Sequence, residues 1–212
     1  MQQSTVKPIT AEESVEGARQ WEYIISRMIG KAYTATLVRV TGVHGGAVAP
    51  VGFVDAIDLL QQVDGSGNGI PNVPMKNLPY FRLQGGGNAV IIDPKVGDIG
   101  IAIFAYRDIS NTKKTKAEGV PASARTHDVS DGLYIGGLLN GTPSQYLHFL
   151  ESGVELVSSG GVTINAASSL DITAGGAVAI NSPSLTHNGK NIGYTHVHDL
   201  VQSGTSNSGT PV

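Results

Sequence analysis

The chain has no cysteine in its 212 residues, so disulfides, thiolate metal sites and a cysteine nucleophile are excluded and the redox compartment stays open. Long apolar runs are missing as well. No stretch approaches the ~18 residues that a membrane-spanning helix needs. The opening residues, Met1 to Thr5, form neither a basic nor an apolar segment, so neither Sec export nor a membrane helix is expected. Charge is scarce, at 15% of residues with a net of −3. Lys and Arg are scattered except at Lys113, Lys114 and Lys116, which argues against a nucleic-acid binder; that short cluster reads as a solvated loop. Catalytic signatures are absent too. There is no G-x-S-x-G or H-E-x-x-H, and His44, His127 and His148 lack a Ser or Asp partner in any recognisable motif. Gly85 to Gly87 precede no phosphate-binding helix pattern, so no enzyme is expected.

What the chain does have is glycine, 28 residues of it, and a repeat. Apolar-X-apolar triplets begin at Val154, Val162, Leu170, Val178 and Leu185, an eight-residue period that shortens to seven at the end. Each triplet has the alternation of a strand with one buried face. Small or turn-forming residues, such as Ser158 to Gly161 and Ala174 to Ala177, fill the gaps and cannot build a core. Third positions are Leu156, Ile164, Ile172 and Ile180, with His187 in the last. Second positions, Glu155, Thr163, Asp171 and Thr186, suit solvent, Ala179 being the exception. A unit that cannot bury its own apolar face becomes stable by stacking on neighbours. Eight residues supply one face, whereas a closed coil needs about three, and symmetric closure also removes exposed strand edges. A homotrimeric, triangular β-helix is the expectation, with residues 147–153 as a degenerate first coil.

Upstream, residues 11–30 have helical apolar spacing through Val15, Ala18, Trp21, Ile25 and Met28, with Thr10 as candidate N-cap and Gly30 where a C-cap belongs. Residues 32–106 read as five strands (32–41, 52–60, about 78–83, 89–92 and 100–106), which fit a small Greek-key barrel of the OB type. The Gly-rich loop 64–69 superficially matches a Ca²⁺ loop but lacks the closing acidic ligand. Polar residues 107–131 read as a connector, and Gly132 to Gly136 as the first shaft strand. The expected organisation is therefore all-β with one N-terminal helix: a helical extension 1–30, an OB-fold domain 31–106, a connector 107–131, a β-helix shaft 132–189 and an apex 190–212.

Just past the last repeat stand His196 and His198. His-X-His on a strand puts both imidazoles on one face, about 6.5 to 7 Å apart. Two ligands make a poor site, and the spacing alone is a weak signal. A threefold axis near the rod's end changes this, since three chains bring about six nitrogens together, an octahedral set that suits iron, nickel or cobalt better than zinc. His187, in an inward slot one rung earlier, could be a second axial ligand, an anion or water site, or a polar plug.

The order of a barrel containing Pro50 to Val54, Asn72 to Pro74 and Pro94 to Asp98, then octads, then His196 and His198 with a Gly/Ser/Thr tail resembles the central spike proteins of contractile-tail baseplates, of the baseplate assembly protein V type. The resemblance covers nearly the whole chain, except for the helix at 11–30 and the long loop at 61–77. It implies a homotrimer with an OB collar, a β-helix shaft and an apex in which His196 and His198 of three chains hold one iron ion. It implies a virion protein at the baseplate tip, made in the host cytoplasm and touching tail tube and baseplate hub proteins, that breaches the host outer membrane on sheath contraction. No lysozyme domain is present, so cell-wall digestion is not implied. The spike of an R-type bacteriocin or another contractile injection system fits the same sequence. A receptor-binding tail fibre is a rival, although fibres usually end in a bulky aromatic domain. A polysaccharide-degrading β-helix would need a carboxylate cluster that Glu155 and Asp171 do not form.

Overall fold

In a computed structural model of the chain, the structure describes residues 18–197 and Gly204. It divides into two compact units, Met1–Tyr146 and Leu147–Val212. The molecule is mostly β, with few helices.

The first unit opens with helix α1 (Ala18–Ile29). Residues 11–17 and Thr10 of the expected helix lie outside the described residues. Trp21, Ile24, Ile25, Met28 and Ile29 share one side at helical spacing, and all five are exposed. Arg27 sits over the Tyr23 ring one turn away.

Five strands then make the main sheet: β1 (Ala35–His44), β2 (Phe53–Asp58), β5 (Met75–Pro79), β8 (Ile99–Phe104) and β9 (Gly132–Gly136), in the order β5-β2-β1-β8-β9. Every neighbouring pair is antiparallel. The sheet curls into a half-barrel, because alternate residues turn inward to a shared core of Val38, Val40, Val54, Ala56, Met75, Leu78, Tyr80, Ala102, Phe104 and Tyr134. Its two edges meet at a parallel bridge between Tyr80 and Tyr134, where the Phe81 N–H donates to the Tyr134 carbonyl at 2.8 Å. Gly100 and Gly136 face each other across β8 and β9. A side chain at Gly100 would strike the Tyr134 ring, so the missing Cβ there is what lets that ring enter the core.

Two hairpins stand off the sheet, β3 (Gln62–Val63) with β4 (Gly69–Ile70), and β6 (Leu83–Gly85) with β7 (Asn88–Val90). Residues 89–92, expected as a barrel strand, contribute to the second hairpin instead. The fifth sheet strand is Gly132–Gly136, which the sequence reading set at the start of the shaft. The expected strand at 78–83 breaks at Tyr80, where the chain leaves β5.

Residues 107–131 correspondingly link β8 to β9. They hold helix α2 (Ser110–Thr115), which carries Lys113 and Lys114, and fold around a buried ion cluster. Arg125 donates from Nε to Asp131 at 2.7 Å and from Nη2 to Asp108 at 2.8 Å. Asp131 is fully buried and also accepts from the Ile109 N–H at 3.0 Å. The Arg125 guanidinium holds the Asp131 carboxyl below its usual range, and the Ser123 and Ser110 hydrogen bonds bring Asp108 down to about 2. Lys113 also departs from the solvated reading, since its ammonium donates to the Ser130 carbonyl at 2.9 Å. Arg125→Ala strands a buried carboxylate and is expected to cost about 3 to 5 kcal/mol, seen as a lower urea midpoint at unchanged slope. A loss under about 1 kcal/mol would contradict a structural role for the cluster.

Strand β10 (Tyr146–Leu150), which starts on the last residue of the first unit, pairs with β11 (Gly153–Val157), and in the second unit β12 (Thr186–His187) pairs with β13 (Lys190–Asn191). The loop of the latter is Asn188-Gly189, both at positive φ, 49° and 74°, the residue pair that a two-residue hairpin favours. Between the hairpins lies the repeat region. Among the described residues, 162–181 form no strand and no main-chain hydrogen bond within the chain. Their apolar positions are open to solvent, Ile172 at 74% and Ile164 at 68%.

Candidate functional site

The turn after β13 is built by side chains. Asn191 Oδ1 accepts from the Gly193 N–H at 2.9 Å while its Nδ2 donates to Thr195 Oγ1 at 2.8 Å, an Asx turn that rigidifies the approach to His196. The His196 N–H reaches the Gly193 carbonyl at 3.1 Å. That same carbonyl lies 2.7 Å from His196 Nδ1. A carbonyl oxygen accepts only, so Nδ1 carries the proton and, in the neutral ring, the lone pair sits on Nε2. This backbone contact is how proteins orient metal-ligating histidines, so the residues present fit a metal as far as His196 goes. His196 is exposed and lines a cavity of about 370 Å³ with Ile180, Leu185, Ile192 and Tyr194.

His198 lies outside the described residues. His187 is on β12, opposite Lys190, and is exposed. No group of three or more His, Asp or Glu side chains suited to a metal forms among the described residues.

Elsewhere the structure supplies partners that sequence spacing hid. His44 Nε2 lies 3.1 Å from Asp55 Oδ2, which also accepts from Lys76 Nζ at 2.8 Å. Asp55 Oδ1 accepts from the Asn77 N–H at 3.1 Å. Burial pushes the Asp55 carboxyl up, but the Lys76, Asn77 and His44 hydrogen bonds together outweigh it and bring the group to about 2 from 3.8. The arrangement pins β1, β2 and the start of β5. His127 lies 3.1 Å from the Tyr33 carbonyl through Nδ1. In the Gly-rich loop, the Asp64 carboxylate accepts from the Ser66 and Asn68 N–H groups and from Asn68 Nδ2, so it closes its own turn. Asp93 gathers Tyr80 OH at 2.6 Å and the buried Arg82 at 2.9 Å.

Because the carboxyl groups of Asp55 and Asp108 are depressed on folding, their stabilisation is complete above the unfolded value near 3.8 and is lost as pH falls through about 2. Thermal unfolding of the first unit is therefore expected to shift to lower temperature between about pH 4 and pH 2, with a smaller shift in Asp55→Asn. An equal shift in that variant would contradict the assignment to Asp55.

No protein-family model matches this chain, and no curated protein matches it.

Proposed function

We propose that three copies of this chain form the central spike of a contractile tail baseplate. The observation that carries the reading is the repeat region. A 20-residue stretch, 162–181, leaves its main-chain groups unpaired and its apolar positions in water within one chain. Neither state is stable alone: unpaired main-chain groups seek partners, and the apolar positions seek burial. Two further copies supply both, each giving one face of a triangular β-helix. The half-barrel, with its five-strand order and edge-to-edge bridge, is read as the OB collar.

On this reading the chain does mechanical work. Sheath contraction loads the collar through the tail tube and hub, and the stacked shaft delivers that load to a narrow tip at the host outer membrane. His196 and His198 of three chains would hold one iron ion at the tip. When bound, the ion supplies coordination bonds that join three chain ends too polar to form a core. The Gly193 carbonyl fixes the His196 ring for that task. The reading is tested by immunogold labelling of contractile particles that carry this chain. Label at the distal centre of extended tails is expected, and label along lateral fibres would favour the receptor-binding rival.

A further inference from the structure

Strand β8 reads Ile-Gly-Ile-Ala-Ile-Phe from Ile99 to Phe104, apolar at all six positions. That is the pattern of a strand covered on both faces, since a half-exposed strand alternates with polar residues. Its inward set, Gly100, Ala102 and Phe104, is buried in the half-barrel. Its outward set is only partly covered within the chain: Ile99 and Ile101 are half-buried and Ile103 is exposed. Cross-strand pairing extends that outward set into two rows over three strands, Ala35–Ile103–Leu133 and Leu37–Ile101–Ile135. Ile103 is 39% and Leu133 43% exposed. A continuous aliphatic patch on a sheet's outer face marks an interface.

The same chain carries a second uncovered apolar surface, the α1 face, with Trp21 at 67% and Met28 at 68% exposure. Only five residues separate Ile29 from Ala35, and two of them are held by turn bonds from Lys31 to Met28 and from Ala32 to Ile29. With α1 held this way, Ile103, Leu133 and Ile135 on the outer face of its own sheet stay exposed. Charge also matches. Arg39 borders the patch beside Ile99, Glu22 flanks the apolar side of α1, and neither has an ion-pair partner among the described residues.

We infer that the outer face of β1, β8 and β9 is covered by α1 of a second copy of this chain, with Glu22 meeting Arg39 across the contact. The inference rests on the trimeric reading and deepens it: each helix locks onto the neighbouring collar, head to tail, around the axis. It assigns α1 to the assembly itself rather than to a tail-tube or hub partner.

The absence of native cysteine makes the test clean. In I25C/I101C, air oxidation is expected to give covalent dimers and closed trimers on a non-reducing gel, all reverting to one chain with reductant. Disulfide confined to single chains would show that α1 covers its own sheet and overturn the inference. No disulfide at all would overturn it in favour of another occupant, such as a partner protein. In parallel, Glu22→Arg should raise hydrogen exchange in 99–104 severalfold, and adding Arg39→Glu should restore protection. A double variant as exposed as the single would overturn the pairing. The wild-type mass in solution separates the two levels. A trimer that fails to cross-link defeats only this inference, whereas a monomer defeats it together with the spike reading.

Discussion

Ile172→Asp is expected to convert the assembly to monomers while the first unit keeps its β-structure. Ile172 is the third position of the central octad and is 74% exposed in the single chain, so on the trimeric reading most of its burial comes from other copies. A buried aliphatic side chain contributes about 2 kcal/mol. An unpaired carboxylate in its place adds about 3 to 5 kcal/mol of penalty per chain, incurred three times at one level of the shaft. Thr163→Asp, at a second position, is the control and should leave the mass unchanged. Light scattering after size exclusion reads both. An Ile172→Asp variant that remains trimeric would mean that the third positions do not line the core.

His196→Ala is expected to lower bound metal from about one ion per three chains to background without changing the trimer mass, because shaft and collar carry the association. The loosened tip should show in hydrogen exchange, with faster exchange around 190–197 and none of that change in 38–56. Elemental analysis decides it. Unchanged metal content would remove His196 from the site, and with it the role of the Gly193 carbonyl in setting its tautomer.

Apolar alternation in the octads is legible because it is a local property. Strand pairing is not local, and among the described residues only Gly153–Val157 and Thr186–His187 of the repeat are strands, while 162–181 form none. The half-barrel was legible as a class, since Gly, Pro, Asn and Asp separate its runs, but one of its strands was misassigned. Gly132–Gly136 reaches β8 only after the excursion of 107–131, and no local pattern reveals that a strand will return across such a distance. That excursion reads as polar linker because its order comes from Arg125, Asp108 and Asp131 converging in space, which spacing along the chain does not show. His44 and Asp55 likewise meet through the β1–β2 register, with Gly42 opposite Asp55. The hairpin at Asn188-Gly189 has a plain sequence signal, the residue pair itself, which lies inside the octad register next to His187. At the proposed metal site the sequence offers His196 and His198, but not the Asx turn at Asn191 that precedes the first of them.

The most direct measurement is the molar mass of the intact protein in solution by sedimentation equilibrium. Three 22.0 kDa chains give about 66 kDa, the value expected if the exposed octads close on two further copies. A mass of one chain, independent of concentration, would contradict the trimeric shaft and the spike built on it.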